Sequence, residues 1–91
     1  MDSILNTEKG ICFLCGKHRQ TDKHHVFGAA NRNRSEKDGL TVYLCRECHE
    51  EAHRNYSVNV ALKAYAEQIW IETYRKSIQA FIDEYGKNYI W

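Results

Sequence analysis

The chain has 91 residues, a formal net charge of +1, and 43% hydrophobic and 27% charged residues. This length predicts one domain with a core so small that a metal or a disulfide is expected to help close it. The near-neutral charge favours no class of partner, and no apolar run approaches the length of a membrane span, which argues against a membrane partner.

The N-terminal segment, residues 1–9, is polar and lacks the basic start and apolar run of a secretory signal. We expect it to fray, with Ile4 and Leu5 packing on the core. A cytoplasmic protein is the expectation, and in a reducing compartment paired Cys-x-x-Cys motifs indicate metal ligands. The alternative of two disulfides requires an exported protein.

The four cysteines form two pairs of equal spacing, Cys12-x-x-Cys15 and Cys45-x-x-Cys48. Gly16 follows the first pair and can take the positive φ that a zinc-knuckle turn needs. Four thiolates predict a closed, tetrahedral structural Zn²⁺ site that supplies folding energy. The 29 residues between the pairs exceed the usual spacing of about 15–20, so the zinc loop must contain an inserted element.

Two strands and a helix are predicted inside and after this loop. Lys23–Phe27 predicts a short strand, and Leu40–Leu44 predicts a second one. The two strands are expected to pair as a hairpin, joined by a long polar loop over residues 29–39, which show no clear period. Arg46–Arg54 contains no glycine or proline and predicts a helix.

Residues 56–91 carry apolar side chains at roughly helical spacing. Ser57 or Asn59 is expected to cap a first helix, and Ser77 a second helix that ends at Gly86. We expect these helices to pack back on the metal-binding part of the chain. The alternative is that they form a homodimer interface.

The histidines predict a second metal site, because the thiols already complete the first. His49 and His53 lie four residues apart and share one helix face, and the doublet His24-His25 lies on the first predicted strand. Imidazoles that hold an ion leave positions open for water, which hydrolysis needs. The alternative is that they are surface or core residues. His18 is predicted to be a loop histidine.

A resemblance to a known family rests on four segments of the chain: Cys12-x-x-Cys15, Lys23-His24-His25-Val26, Leu44-Cys45-Arg46-Glu47-Cys48-His49, and His53. These segments span about half of the chain, and together they resemble the HNH endonucleases, also called ββα-metal or His-Me finger nucleases. The small phage and bacterial members with two Cys-x-x-Cys pairs are the most similar. The resemblance implies an α+β fold within one domain, 1–91. A zinc-stapled, treble-clef-like ββα-metal finger would occupy residues 10–55, followed by a C-terminal helical segment over residues 56–91.

The resemblance also implies an activity, the hydrolysis of DNA phosphodiester bonds. It makes His25 the general base that takes a proton from the attacking water. It makes His24, His49 and His53 the ligands of one catalytic divalent cation, Mg²⁺, Mn²⁺, Ni²⁺ or Zn²⁺. The products would carry 5′-phosphate and 3′-hydroxyl ends.

The sequence departs from the family at its middle asparagine, whose place just before the second strand is taken by Leu40. In the family this asparagine steadies the loop that orients the base. Either Asn31 or Asn33 is expected to serve that role from the connecting loop.

Positive charge is concentrated in the metal-ligand stretch. Residues 16–37 contain six basic residues against two acidic ones. The residues expected to contact the phosphates of double-stranded DNA are Arg32, Arg34, Lys37, Arg46 and Arg54. The alternative for the first three is solvated surface charge.

Two other functions are compatible with this pattern. The first is a non-catalytic zinc-binding module, a degenerate HNH domain that binds nucleic acid or a protein partner. The second is a phage-encoded accessory or inhibitor protein that reuses the scaffold. Partners beyond DNA would then include a second copy of the chain or a larger phage or bacterial protein.

Overall fold

A computed structural model describes residues 2–90 of the chain, so Met1 and Trp91, the two ends of the predicted domain, lie outside the described residues. Within this range the chain is α+β, with four α-helices and a two-stranded antiparallel sheet. In chain order the elements are β1 (Asp22–His25), α1 (Arg32–Asp38), β2 (Thr41–Leu44), α2 (Arg46–Arg54), α3 (Tyr56–Tyr74) and α4 (Ile78–Tyr85). None of the helices in residues 2–90 is both long enough and apolar enough to cross a membrane.

The two strands form the expected hairpin, with His24 opposite Val42 and His25 opposite Thr41. Side chains alternate between the faces of a strand, so His24 shares a face with Asp22, while His25 shares the other face with Lys23. Both observed strands are slightly shorter than predicted. Strand-like pairing nevertheless continues past β1, because the Val26 N–H donates to the Leu40 carbonyl at 3.1 Å.

The predicted loop over residues 29–39 is wrong: a 3₁₀ turn, Ala29–Asn31, leads into α1. The apolar period of a helix is missing from this segment because the one buried residue of α1 is a serine, Ser35. The Ser35 hydroxyl donates to the Leu40 carbonyl at 2.6 Å and accepts from the Phe27 N–H at 3.4 Å. Polar tertiary contacts therefore hold a helix that sequence periodicity does not reveal.

The N-terminal segment is anchored over residues 3–5, contrary to the expected fraying, and Leu5 is fully buried in the core as expected. The Ile4 N–H donates to the Gly39 carbonyl at 2.9 Å. Gly39 ends α1 with a φ of +76°, and a Cβ atom there would lie 2.7 Å from the Asp2 carbonyl oxygen. Only glycine satisfies both the left-handed backbone and this close approach.

The caps of the C-terminal helices are partly as predicted. Ser77 caps α4 by accepting from the Ala80 N–H at 3.1 Å, and Gly86 ends that helix in the left-handed conformation. The expected caps of α3 are wrong, because α3 starts earlier and its cap is Asn55. The Asn55 side chain accepts from the backbone N–H groups of the second and third helical residues.

Aromatic side chains join α3 and α4 to α1 and to Phe27. Trp70 and Phe81 meet edge to face at 5.3 Å between ring centroids, and Phe27, which follows β1, lies 5.4 Å from Phe81. Trp70 Nε1 and the Tyr85 hydroxyl donate to the same oxygen of Asp38, at 2.9 and 2.7 Å. The C-terminal helices thus pack on the preceding part of the chain through the hydrophobic core and through Asp38, the last residue of α1.

Candidate metal centres

The four cysteines come together in one cluster, as the spacing predicted. Their sulfur atoms all lie within 4.8 Å of one another, with Cys15 Sγ and Cys45 Sγ 4.0 Å apart. Gly16 closes the first knuckle with a φ of +74°, and its N–H donates to the Cys12 carbonyl at 2.8 Å. The second pair occupies the N-terminus of α2, where Cys45 is the capping residue. Four thiols in this arrangement are a donor set suited to tetrahedral zinc.

The electrostatics of the cluster fit a cation. Burial opposes ionisation of Cys12, but hydrogen bonds from the backbone N–H groups of Cys15 and Cys45 lower the pKa of the Cys12 thiol to about 6. Burial and the neighbouring thiols raise the pKa of Cys48. Four thiolates cannot share this space without a positive charge among them, so a divalent ion is the natural partner of the cluster.

Arg19 is a neighbour of this cluster that the sequence reasoning did not single out. Its Nη1 atom lies 3.8 Å from Cys45 Sγ, and its Nη2 atom pairs with Glu47 at 3.0 Å. The Glu47 carboxylate raises the pKa of the guanidinium, which stays charged beside the thiols. A fixed positive charge at this distance offsets part of the negative charge of a tetrathiolate site.

Three of the histidines form a second cluster. His24 on β1 faces His49 and His53, which lie one turn apart on α2, and the candidate ligand nitrogens are all within 4.8 Å of one another. The ring centroids of His24 and His49, and those of His24 and His53, are 5.1 Å apart. The residues therefore fit a metal ion held by three imidazoles.

His24 carries the strongest sign of a missing partner. Its side chain is 3% exposed, and its Nε2 atom finds no hydrogen-bond partner in the described range 2–90. Burial, followed by the charges of His49 and His53, lowers the pKa of the imidazole to about 4, so it is neutral near pH 7. A buried polar atom without a partner costs about 1–3 kcal/mol, and ligation of a metal removes that cost.

Asp22 lies behind one of these ligands, with its Oδ2 atom 3.5 Å from His49 Nδ1. Asp22 shares a strand face with His24, which explains why both reach α2. A carboxylate near one ring nitrogen of a ligating histidine favours the tautomer that presents the other nitrogen to the metal. Nε2 of His49 is accordingly the nitrogen left for an ion.

A groove of about 310 Å³ runs past the histidine cluster. Its lining residues are Lys23, His24, His25, Gly28, Ala29, Arg32, His49 and His53. The side chain of His25 is 15% exposed, and its Nε2 atom lies 2.8 Å from Oε1 of Glu36 on α1. Glu36 was not foreseen, because its segment showed no helical period. No local signal in the sequence points to it, because its contact with His25 depends on the fold of α1.

The five basic residues predicted to contact DNA do not all line the histidine groove. Arg32 lines the groove. Arg34 donates to the Asn31 side chain and to the Glu84 carbonyl, and it lies over the Tyr85 ring at 5.9 Å, so it joins α1 to α4. Lys37 lies in a separate hollow beside α4.

The two arginines predicted on α2 pair with acids of their own helix. Arg46 pairs with Glu50 at 3.9 Å, and Arg54 pairs with Glu51 at 3.4 Å. Neither residue lines the groove described above. Their guanidinium groups are largely exposed, so the ion pairs hold them only weakly.

The two asparagines considered for orienting the base lie elsewhere. Asn31 Nδ2 donates to the Tyr85 carbonyl at 3.1 Å, and its Oδ1 accepts from Arg34. Asn33 lines the hollow that contains Lys37. Neither belongs to the lining of the histidine groove.

Comparisons of this chain with models of protein families, with curated protein sequences and with solved structures found no match.

Proposed function

We propose that this chain is a metal-dependent endonuclease of the HNH type that hydrolyses phosphodiester bonds of double-stranded DNA. The observation that carries the proposal is the groove in which three convergent imidazoles, a fourth histidine and an arginine meet. In this proposal the cysteine cluster holds a structural Zn²⁺ that staples a ββα-metal finger, and His24, His49 and His53 hold the catalytic divalent cation.

The chemistry follows from the residues along the groove. His25 takes the proton of a water molecule, whose oxygen forms a bond to phosphorus. The bond from phosphorus to the 3′ oxygen breaks, and that oxygen leaves with the electron pair and takes a proton from solvent. The bound cation supplies a positive charge that stabilises the phosphate in the transition state. In this proposal Arg32, which also lines the groove, binds the same phosphate.

The second candidate function is a zinc-binding module that binds DNA without cutting it. One observation favours it: neither Asn31 nor Asn33 lines the groove that contains His25, so neither predicted position supplies the asparagine of the resembling family there. The basic groove and the cysteine cluster would suffice for such binding. A cleavage assay separates the two functions.

The test incubates purified, zinc-loaded protein with supercoiled plasmid and Mg²⁺, Mn²⁺ or Ni²⁺. Nicked or linear DNA is expected, and His25→Ala should lower the rate by roughly 10²–10⁴-fold, the usual contribution of a general base. His18→Ala is the matched control, because His18 is an exposed histidine outside the groove. If neither wild type nor variant cuts while both shift DNA in a gel, the binding module is the correct function.

A further inference from the structure

The side chain of His25, which lines the groove, makes a short polar contact with Glu36. His25 Nε2 lies 2.8 Å from Glu36 Oε1, and Lys23 Nζ lies 3.3 Å from both carboxylate oxygens of Glu36. Lys23 and His25 are two residues apart on β1 and point from the same face, so one carboxylate on α1 receives both.

This contact fixes where the imidazole carries its proton. Hydrogen bonds from His25 and then from Lys23 lower the pKa of Glu36 to about 2, so near pH 7 its side chain is a carboxylate that can only accept. The hydrogen of a neutral His25 ring must then reside on Nε2. Nδ1 keeps the lone pair and is the basic nitrogen of the ring.

Glu36 is also held in place by the helix that carries it. The neighbouring residue Ser35 is fully buried and hydrogen-bonded to Leu40, and two residues further on Asp38 receives the hydrogen bonds of Trp70 and Tyr85. The backbone that carries the Glu36 side chain is therefore fixed on both sides. Rigid support of this kind is what an orienting group needs.

We propose that Glu36 is the positioning residue for His25, holding its ring in the Nε2–H tautomer so that Nδ1 is the atom that accepts the proton of water. This inference rests on the proposed nuclease function for its kinetic consequence. When Nδ1 takes the proton, the ring becomes an imidazolium, and the Glu36 carboxylate offsets that charge. The proton then returns to solvent, and Glu36 itself is not protonated.

The first experiment needs no cleavage. Long-range ¹H–¹⁵N spectra of zinc-loaded protein report the tautomer of each histidine ring, and the His25 signals are assigned by their loss in His25→Asn. The expected result is the Nε2–H tautomer in the wild type and a mixture of tautomers in Glu36→Ala. A wild-type ring with its proton on Nδ1, or an unchanged tautomer in Glu36→Ala, would overturn the inference even if the protein cuts DNA.

The second experiment is kinetic and uses Glu36→Ala, Glu36→Gln and Glu36→Asp. Loss of the orienting group should lower kcat by roughly 10–100-fold with little change in KM, because an outer residue acts through the base and not on the substrate. Glu36→Gln, which keeps an acceptor oxygen, should keep the tautomer and retain more activity than Glu36→Ala. Glu50→Ala, an exposed acid that pairs with Arg46, is the control and should change neither readout.

The two experiments separate the two proposals. If the wild type does not cut DNA but shows the Nε2–H tautomer that Glu36→Ala disturbs, the nuclease function fails and the positioning contact stands. If the wild type cuts and Glu36→Ala, folded as judged by its Tm, keeps full kcat, the nuclease function stands and the positioning role fails.

Discussion

Cys48 and His49 are neighbours on the first turns of α2, yet their side chains belong to two different clusters of metal-ligand candidates. Cys48 joins the four cysteines, and His49 joins His24 and His53. Because one rigid helix carries ligands of both clusters, an ion that fixes the sulfur cluster also fixes the place of two imidazoles. The two sites are therefore expected to be coupled, so that binding of either ion raises the affinity of the protein for the other.

The first prediction concerns the sulfur cluster. Cys48→Ala should lose the tightly held zinc and much of the fold, since structural zinc in small domains contributes on the order of 10 kcal/mol. Metal content by mass spectrometry and thermal melts by circular dichroism measure both effects. His53→Ala is the control and should retain one zinc per chain. Full zinc retention in Cys48→Ala would contradict the four-cysteine site.

The second prediction concerns the histidine cluster. Adding Ni²⁺ or Mn²⁺ to zinc-loaded protein should stabilise it by about 2.7 kcal/mol when the free ion reaches 100 times Kd. For a chain of this size that is a rise in Tm of roughly 10 °C or more. His49→Ala should abolish the response, and His18→Ala should keep it. An equal rise in Tm in both variants would show that the added ion binds outside the histidine cluster.

The third prediction concerns the charge that lines the groove. In a His25→Ala background, which binds without cutting, Arg32→Ala should weaken DNA binding and reduce the slope of log K against log salt by about one. Fluorescence anisotropy over a series of KCl concentrations gives the slope. Arg54→Ala changes another predicted DNA contact that lies outside the groove, and as the control it should have the smaller effect. A larger loss of DNA affinity in Arg54→Ala than in Arg32→Ala would indicate that the bound DNA does not pass His25.

The fourth prediction concerns the junction at Asp38. Asp38→Ala leaves the buried Trp70 Nε1 and the Tyr85 hydroxyl without this acceptor, which should cost about 2–4 kcal/mol of unfolding free energy. Urea unfolding measures the loss. Asp83→Ala removes an exposed acid on α4 that pairs with Gln79, and it should stay within about 0.5 kcal/mol of the wild type. Similar losses in both variants would mean that the junction adds no specific stability.

The fifth prediction is a pH dependence set by Glu67, which is fully buried on α3. Burial raises the pKa of its carboxyl group, although Oε1 accepts from the Tyr89 N–H at 2.6 Å. A raised folded pKa means that the native state holds the proton more tightly than the unfolded chain. The free energy of unfolding that Glu67 contributes is fully present below pH 4.5, the ordinary pKa of a glutamate in the unfolded chain. It is lost as the pH rises through the higher pKa of the folded state.

Glu67→Gln keeps the acceptor oxygen and removes the ionisation, so it should match the wild type near pH 4 and be more stable than it near pH 8. Urea midpoints across this pH range give the comparison. Glu72→Gln, an exposed acid on the same helix, should leave the profile unchanged. A wild-type stability that does not fall with pH relative to Glu67→Gln would show that this carboxyl group does not set the profile.

The sequence predicted the parts of the fold that carry a local signal. The Cys-x-x-Cys pairs, the β-branched second strand and the helix Arg46–Arg54 each combine residue type with spacing, and the structure has the elements there. The i, i+4 pair His49 and His53 was enough to predict a shared face. The positions of metal ligands can therefore be predicted from the sequence when the ligands are separated by only a few residues.

The parts that the sequence did not predict depend on distant partners. The buried residue of α1 is Ser35, and its hydrogen-bond partners, Phe27 and Leu40, lie outside the helix. Glu36 contacts His25 only because it lies on this helix, so the sequence did not predict the contact. The contact of Arg34 with the Glu84 carbonyl on α4 is another such case, because the charge pattern of the sequence does not reveal it.

The shared acceptor at Asp38 matters for any attempt to transfer the part of the chain that holds both ligand clusters to another protein. A fragment that ends at Arg54 would keep the residues of both metal clusters but would strip the aromatic neighbours from Phe27 and the donors from the Asp38 carboxylate. Helix α1, which carries Glu36, would then lose the contacts that hold its C-terminal end. A fragment that keeps both clusters in place is therefore expected to extend beyond the last candidate ligand, His53, and to include residues through Tyr85.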